Sequence, residues 1–223
     1  MAEQLILDLP VRQALGREDF FVSPSNQAAV NALDAWQNWT QNKLILLGPK
    51  GAGKSHLAQI WAQNAGAIIV PADELIDADI PSLATQNVCI EDVADLAQTD
   101  GEEALFHLHN VMLDTGNKLL FTGRDTPRDW QLLLPDLNSR IAALSRVELD
   151  APDDMLLMAV MIKQFEDRQI AIDPGVVNYL MPRMERSFDF VAKLVATLDE
   201  TALAARKPIS RKLARIVLDS FAD

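Results

Sequence analysis

The chain has 223 residues, of which 49% are hydrophobic and 23% are charged. These values are typical of a globular protein with one α/β core and room for a small second domain. The net charge of −12 argues against a general nucleic-acid-binding surface, because non-specific DNA affinity comes from cations that displace phosphate counterions. No stretch reaches the roughly 20 apolar residues of a membrane span, and the start lacks a signal-peptide pattern, so we expect a cytoplasmic protein.

Charge is unevenly distributed along the chain. Residues 73–103 contain ten carboxylates and no lysine or arginine, whereas Arg206, Lys207, Arg211, Lys212 and Arg215 cluster near the C-terminus. The default interpretation of each region is a solvated face. The basic cluster also fits the polar side of a helix whose apolar side carries Leu213, Ile216, Val217 and Phe221.

The first residues alternate in polarity, in the order Gln4-Leu5-Ile6-Leu7-Asp8-Leu9. In an extended segment Leu5, Leu7 and Leu9 lie on one face. Such a segment can occupy an apolar groove of a partner protein while the Gln4 amide fixes the register, or it can form an edge strand of this protein's own sheet. The pattern alone leaves both open.

A phosphate-binding loop follows a predicted helix at residues 31–39 and a predicted strand at residues 44–47. The sequence G-x-x-x-x-G-K-S stands between that strand and a segment of helical period, which is its required context, and this disfavours a mere glycine-rich turn. Backbone N–H groups and the start of the helix would hold a polyphosphate, Lys54 would neutralise its oxygens, and Ser55 would bind Mg²⁺. The nucleotide-binding candidates here are Gly48, Pro49, Lys50, Gly51, Ala52, Gly53, Lys54, Ser55 and His56.

Further strand-like runs at residues 67–70, 88–90, 119–122 and 147–149 alternate with helical or loop segments, which predicts a parallel sheet flanked by helices. Glu91 and Asp92 end the third strand, where one carboxylate can orient Mg²⁺ ligands and the other can position a water molecule. Thr122 ends the fourth strand and is a weaker candidate for contacting the γ-phosphate or that water. Arg140 lies before the fifth strand, where it could pack on this protein's own surface or reach a neighbouring subunit's nucleotide.

Helical segments without strands follow residue 150. An acidic first turn with a proline begins residues 155–165, Asp173 and Pro174 begin residues 175–184, and Ser187 and Ser210 are candidate caps for residues 188–204 and 211–221. We therefore predict an N-terminal segment at residues 1–15, an α/β domain at residues 16–150 and an all-helical domain at residues 151–223. In Phe106-His-Leu-His-Asn110, the two histidines are two apart and point in different directions on a helix, so we expect no metal site there.

Together these elements resemble the AAA+ ATPases: a P-loop, a carboxylate pair, a polar strand end, an arginine that acts in trans, and a helical lid. The details Gly53-Lys54-Ser55-His56-Leu57 and Leu137-x-Ser139-Arg140 are similar to the replication initiator DnaA and its short relatives. DnaA continues into a DNA-binding domain and this chain ends at the lid, so the resemblance favours a regulator over an initiator. The N-terminal Q-L-x-L-x-L is similar to the clamp-binding peptide of the Hda-type regulators, with Gln4, Leu5, Leu7 and Leu9 as the contacts.

This resemblance implies a regulator that binds ADP or ATP with Mg²⁺, held by Ser55 and Glu91, and that sits on the DNA polymerase sliding clamp. It would stimulate ATP hydrolysis by DnaA through Arg140, contact DNA indirectly through the clamp, and form a possible homo-oligomer. Phe21 and Asn26 would lie near the adenine. The order Glu91-Asp92 departs from the family's usual Asp-Glu or Asp-Asp and leaves the chain's own ATP hydrolysis in doubt.

The lid also departs from the family pattern, because an aspartate, Asp189, stands near the usual sensor arginine. Arg186, or Lys193, could replace that arginine. The alternatives are a free-standing AAA+ ATPase, such as a helicase loader or a DnaA-like initiation factor, and a small-molecule kinase, which the helical C-terminal part disfavours.

Overall fold

The computed structural model describes residues 21–221, and the sequence-predicted clamp-binding residues Gln4, Leu5, Leu7 and Leu9 lie outside them. The chain divides into two units, which we describe separately: an α/β unit, Asn26–Asp150, and a helical unit formed by Phe21–Ser25 with residues 151–221. No helix among the described residues is long and apolar enough to cross a membrane.

The α/β unit is built on a parallel sheet. Its described strands are β1 (Lys43–Leu47), β2 (Ala67–Pro71), β3 (Asn87–Glu91), β4 (Leu119–Gly123) and β5 (Arg146–Glu148), in the order β2-β3-β4-β1-β5. Every pairing is parallel, with Leu47 opposite Gly123 and Pro71 opposite Glu91. The carboxyl ends of β1, β3 and β4 therefore meet at one edge of the sheet, as the strand pattern predicted.

Helices cover this sheet: α1 (Gln27–Asp34), α2 (Lys54–Ala65), α3 (Ile80–Leu83), α4 (Gly101–Thr115) and α5 (Pro135–Ala142). Successive residues of a strand point to opposite faces. Ile45 and Leu47 of β1 pack in one apolar cluster with Leu105 of α4 and Ile141 of α5. Helices α1 and α2 also contact the sheet, through β5 and through β2 and β3.

The predicted helix at residues 31–39 is wrong in its bounds. α1 ends at Asp34, and Trp36–Asn38 forms a separate 3₁₀ turn. Trp39 has an extended backbone, its indole N–H donates to the Ala32 carbonyl at 2.7 Å, and its ring stacks on Trp61 with centroids 5.2 Å apart. The helix thus ends before the residue that makes these two contacts.

The helical unit consists of α6 (Asp154–Asp167), α7 (Pro174–Leu180), α8 (Phe188–Ala205) and α9 (Arg211–Asp219). The side chains of Ser187 and Ser210 accept hydrogen bonds from Phe190 N–H and Leu213 N–H, which confirms both predicted caps. α7 ends four residues earlier than predicted, before Pro182, because proline cannot donate the next helical hydrogen bond.

The placement of three apolar residues depends on the tertiary structure. The predicted apolar side of the last helix includes Ile216 and Phe221, but these residues are 56% and 38% exposed. Trp130 follows a 3₁₀ turn but is only 2% exposed, and its indole N–H donates to the Asp125 carbonyl at 2.8 Å. Its ring occupies the space beside Gly123, where a Cβ would lie 2.6 Å from the ring.

Candidate functional site

The P-loop connects β1 to α2 at the carboxyl edge of the sheet. Gly51 and Gly53 have φ angles of 74° and 93°, the left-handed region that favours glycine. Gly48 is required for a different reason: a Cβ there would lie 2.8 Å from the Leu149 carbonyl oxygen and 2.9 Å from the Leu149 Cβ. Gly48 therefore makes room for the chain that follows β5.

Lys54 begins α2 and is only 8% exposed. Its ammonium donates to the carbonyl oxygens of Gly48 at 2.8 Å and Pro49 at 3.1 Å, so the side chain lies along the loop. Burial lowers the pKa of Lys54, and the charge of Asp92 opposes this more strongly than that of Glu91. The two carboxylates at the end of β3 are therefore electrostatically coupled to the lysine of the loop.

The carboxylate pair lies at the end of β3. Glu91 is its last residue and is half-buried, and its Oε1 atom is buried without a hydrogen-bond partner among residues 21–221. Asp92 turns the chain with a φ of 52°, a conformation that aspartate tolerates better than most residues. Its N–H donates to the Thr122 hydroxyl at 3.0 Å.

Thr122 is 1% exposed, and its hydroxyl accepts that bond at the end of β4. The next residue, Gly123, accepts a hydrogen bond from Gly48 N–H at 3.2 Å. β4 is therefore bonded both to the carboxylate pair and to the start of the P-loop. The structure thus brings the P-loop, Glu91, Asp92 and Thr122 to one edge of the sheet.

The remaining candidates of the P-loop differ in exposure. Ala52 is buried, whereas Pro49, Lys50, Ser55 and His56 are exposed. Ser55 lies in the first turn of α2, where the helix offers unsatisfied N–H groups. The exposed members are accessible to a ligand, and the buried ones fix the shape of the loop.

Arg140 does not belong to this edge. It is exposed near the end of α5, its Nη1 donates to Asn110 Oδ1 at 2.7 Å, and its guanidinium lies 5.1 Å from the centre of the Phe106 ring. Its charge helps to lower the pKa of Lys43, the first residue of β1, although burial is the larger cause. β1 is about 13 Å long, so Arg140 lies near the amino edge of the sheet, opposite the P-loop.

A basic cluster is buried at that amino edge. Lys43 is completely buried, and its Nζ has no hydrogen-bond partner within the described part of the chain. Burial and then Arg140 lower the pKa of Lys43 to about 8. His109 is 2% exposed, and its pKa is lowered to about 4 by burial first and then by Lys43 and Arg140. Among residues 21–221 no group of three or more histidine, cysteine, aspartate or glutamate side chains is placed to hold a metal ion.

In the helical unit, Arg186 forms an ion pair with Asp154 at 2.6 Å, and both side chains are more than half exposed. Burial alone would raise the pKa of Asp153, but hydrogen bonds from Leu156 N–H and from Ser23 and Ser25 lower it. These bonds explain why Phe21–Ser25 group with the helical unit, whereas the sequence placed them in the α/β domain. Of the adenine candidates, Phe21 consequently belongs to the helical unit and Asn26 to the α/β unit.

No family model matches the chain. In sequence it is similar to the chromosomal replication initiator protein DnaA of Borrelia garinii subsp. bavariensis, with 25% identity over 191 residues that cover 75% of this chain and 40% of that protein. The DnaA of Cutibacterium acnes is 20% identical over 225 residues, which cover 90% of this chain and 45% of that protein. The chain thus spans less than half the length of these relatives.

The fold agrees with this similarity. Domain III of Thermotoga maritima DnaA superposes with a TM-score of 0.78 at 19% identity, covering 95% of this chain and 98% of that one. The chain is thus similar to DnaA in sequence and to DnaA domain III in fold. Its fold is also similar to a Thermotoga maritima RuvB mutant, with a TM-score of 0.73, 17% identity and coverage of 94% and 73%.

The carboxyl edge of the DnaA-like chain can hold a polyphosphate anion. N–H groups of the loop and of the first turn of α2 are donors for phosphate oxygens, and Lys54 supplies the charge. Ser55 and Glu91 are hard oxygen ligands suited to Mg²⁺, and the unpaired Glu91 Oε1 is chemically fitted to that role. Because no metal-holding cluster exists among the described residues, the ion would need phosphate oxygens as further ligands.

Sequence reasoning missed one residue that positions α5 in the DnaA-like chain. Glu102 is 2% exposed, and its carboxylate accepts hydrogen bonds from the N–H groups of Gln98 at 2.8 Å, Leu133 at 2.8 Å and Leu134 at 2.9 Å. It fixes the segment that leads into α5, and with it Arg140. In the sequence it stands in an acidic stretch and resembles a solvated surface residue, so no local pattern distinguishes it.

Proposed function

We propose that this DnaA-like chain is an adenine-nucleotide-binding regulator that binds the DNA polymerase sliding clamp and stimulates ATP hydrolysis by DnaA, which represses re-initiation of replication. The observation that carries this proposal is the position of Arg140. It is exposed at the amino edge of the sheet, whereas the chain's own P-loop lies at the carboxyl edge. An arginine so placed is available to the nucleotide of a neighbouring subunit.

The nucleotide would be ADP or ATP at the carboxyl edge, with its phosphates on the P-loop and Mg²⁺ held by Ser55 and Glu91. A solved structure of similar fold is the replication initiator DnaA bound to AMPPCP and single-stranded DNA, with a TM-score of 0.70, 17% identity and coverage of 85% of this chain and 67% of that one. Phe21, Asn26 and Arg186 complete the proposed nucleotide-binding set by family resemblance.

Hydrolysis of the chain's own nucleotide would be slow. The family usually has Asp-Glu or Asp-Asp at this point, whereas this chain has Glu91 followed by Asp92. The Asp92 backbone is also fixed by the Thr122 hydroxyl, which limits how far this carboxylate can move toward a phosphate. The residues at this edge are thus better suited to binding a nucleotide than to hydrolysing it.

The Arg140 guanidinium would stabilise the charge that develops on the phosphate transferred within DnaA. Asn110 accepts a bond from one of its five N–H donors, and the guanidinium carbon lies over the Phe106 ring, so the remaining donors are available to phosphate oxygens. Where an arginine acts in trans in this way, it accelerates hydrolysis by a factor of about 10³–10⁵.

Binding to the clamp would rest on Gln4, Leu5, Leu7 and Leu9, which lie outside the described residues. DNA would then be contacted indirectly, through the clamp. In this proposal residues 1–15 bind the clamp, residues 16–150 bind the nucleotide, and residues 151–223 form the lid.

The test is the rate of ATP hydrolysis by DnaA in the presence of DNA-loaded clamp and this chain. Arg140→Ala should reduce the stimulation by at least about 10³-fold and leave ADP affinity, measured by calorimetry, unchanged. Arg128→Ala removes another exposed arginine of the α/β unit and is the matched control, which should keep full stimulation. Full stimulation by the Arg140 variant would refute the proposal.

Two further variants test the proposed contacts with the nucleotide and with the clamp. Lys54→Ala should weaken ADP binding by about 10- to 100-fold, because a charge-assisted hydrogen bond contributes about 1.5–3 kcal/mol. Leu7→Ala should weaken clamp binding in a pull-down with ADP present. An unchanged clamp affinity would indicate that Leu7 has a structural role instead.

The second candidate is a free-standing AAA+ ATPase, such as a helicase loader or a DnaA-like initiation factor. It is favoured by one observation, namely that the P-loop, a carboxylate pair and Thr122 meet at one edge. Rapid turnover of ATP by the purified chain without DnaA or clamp would support this candidate. Turnover that appears only with both partners would support the regulator.

A further inference from the structure

The amino edge of the sheet buries polar side chains that the proposed function does not use. Lys43 begins β1 and is completely buried, and its Nζ has no hydrogen-bond partner within residues 21–221. His109 of α4 is 2% exposed, and neither of its ring nitrogens has such a partner in the same part of the chain. Buried polar atoms without a partner destabilise a fold, so native structures contain few of them. Two of these side chains in one unit therefore point to a ligand.

Both side chains lie on the face of the sheet that α4 and α5 cover. Alternate residues of a strand point to the same face, so Lys43 shares the face of Ile45, which packs in one apolar cluster with residues of both helices. His109 directly precedes Asn110, the acceptor of the hydrogen bond from Arg140. Asn110 raises the pKa of His109 as its smallest influence, although neither ring nitrogen meets hydrogen-bond geometry.

The three basic side chains at this place act on one another. The charge of Lys43 lowers the pKa of His109, and the charge of Arg140 lowers the pKa of both. Burial is the larger cause in each case, and it would not be accompanied by repulsion if the groups were far apart. We name Lys43, His109 and Arg140 the basic cluster.

No carboxylate on the covering helices, as far as the structure describes them, neutralises the basic cluster. Glu102 of α4 is buried, but it accepts hydrogen bonds from backbone N–H groups, including that of Leu133 at 2.8 Å. Glu103 and Asp114 of the same helix are exposed, and so is Asp136 of α5. The charges that shift the pKa of Lys43 and His109 are all positive. The buried ammonium thus lacks a counter-charge from these helices.

The chemistry of the basic cluster defines the ligand. An ammonium has three N–H donors, and a neutral imidazole has one, so the ligand has to accept hydrogen bonds. It also has to be negatively charged, because a buried charge is tolerated when an opposite charge pairs with it. Complete burial of Lys43 requires a small ligand, and one ammonium balances one negative charge. A halide ion meets these conditions, whereas sulfate and phosphate are larger and more highly charged.

We propose that the basic cluster binds a chloride ion, held by the Lys43 ammonium and the His109 N–H within the positive field of Arg140. The P-loop lies at the opposite edge of the sheet, so this site goes beyond the proposed function and is independent of it. Without chloride the buried ammonium destabilises the fold, and a bound chloride offsets that cost. A ligand that binds only the folded chain stabilises it in proportion to its concentration above the dissociation constant.

The test is urea unfolding at pH 7, because urea is uncharged and adds no chloride. Sodium gluconate keeps the ionic strength at about 0.5 M while chloride rises from about 0.05 M to about 0.5 M, so general screening stays constant. The folding equilibrium constant of wild-type chain should rise between about threefold and tenfold over this range, for a dissociation constant of about 0.2 M or below. Lys43→Met should show no such rise, because it offers no ammonium to the ion.

Lys118→Met is the matched control. Lys118 directly precedes β4 at the same edge of the sheet, but its ammonium donates to the Gln37 carbonyl at 2.8 Å and to Asn42 Oδ1 at 2.7 Å. This lysine already has partners, so its replacement should leave the chloride response of the wild-type chain unchanged. His109→Leu keeps the ammonium and removes one donor, so its response should be weaker than that of wild type.

Two further measurements locate the ion. Bromide can replace chloride and gives an anomalous X-ray signal, so crystals of wild-type chain soaked in bromide should show a peak in contact with Lys43 Nζ. This experiment needs no variant and holds even where a variant does not fold. In solution, chloride should raise the pKa of His109, followed by its imidazole NMR signal, because an anion favours the charged form. Lys43→Met should lose this chloride effect.

Three outcomes would overturn the proposal. The first is wild-type stability that is the same in chloride and in gluconate. The second is a Lys43→Met variant that responds to chloride as wild type does, since the response would then arise elsewhere. The third is a bromide map with peaks only on the surface and none beside Lys43, which would leave water as the partner of the ammonium.

Discussion

Replacement of Lys43 by methionine should stabilise the fold at pH 7. Lys43 begins β1, is completely buried, and has no hydrogen-bond partner for its ammonium among the described residues. A buried charge without a partner is costly, and an apolar side chain of similar length removes that cost. Methionine is long and flexible enough to fill the same space.

The size of the effect follows from the pKa of this side chain. Burial, and then the nearby Arg140, lower it from 10.5 to about 8. One pKa unit corresponds to about 1.4 kcal/mol, so keeping the ammonium in the folded chain costs about 3 kcal/mol at pH 7. We expect Lys43→Met to raise the free energy of unfolding by about this amount.

Urea unfolding of both proteins measures the difference, with an unchanged dependence on urea as the sign of an unaltered two-state transition. The direction in which this stability difference changes with pH follows from the protonation of Lys43 in the folded and the unfolded chain. Below pH 8 the lysine is protonated in both states, and the full cost is present. Between pH 8 and 10.5 the folded chain has released the proton while the unfolded chain still holds it, so wild-type stability rises relative to the variant.

Two results would refute this reasoning. One is a variant that is less stable than wild type at pH 7, which would mean that Lys43 has a favourable partner. The other is a stability difference that stays constant from pH 8 to 10.5. A supporting check is the imidazole NMR signal of His109, whose pKa should rise in the variant because Lys43 is one cause of its depression to about 4.

Other expected outcomes concern hydrogen bonds and a second titration. Thr122→Val should lower the free energy of unfolding in urea by about 1–3 kcal/mol, because the Asp92 N–H loses its acceptor. An unchanged urea midpoint would show that water replaces the threonine hydroxyl. Glu102→Ala should lower the free energy of unfolding by more than about 3 kcal/mol, because backbone N–H groups, including that of Leu133, lose a buried acceptor. A smaller loss than that of Thr122→Val would contradict the role of Glu102 as this acceptor. As the pH falls from 6.5 toward 4, the unfolded chain binds a proton that folded His109 does not, so stability should fall by up to about 3 kcal/mol, and His109→Leu should remove this part of the slope.

The candidate site shows which structural features sequence patterns can predict. The P-loop and the two polar strand ends could be placed together from the chain alone, because buried parallel strands must bring their carboxyl ends to one edge. The pattern did not reveal how the parts are joined. The bond from Asp92 N–H to the Thr122 hydroxyl links residues 30 positions apart, and the clash that requires Gly48 comes from Leu149, about a hundred residues later.

The sequence by itself determined the alternation of strands and helices, the P-loop and the caps of the last helices, since these depend on neighbouring residues and on side-chain period. Only the tertiary structure decided where α1 stops, that Trp130 is buried and that Ile216 is exposed, because each depends on residues distant in the chain. The same holds for the burial of Lys43 and Glu102. A charged residue in the sequence predicts a side chain exposed to solvent. Only the packing around it in the folded chain can show that the charge is buried.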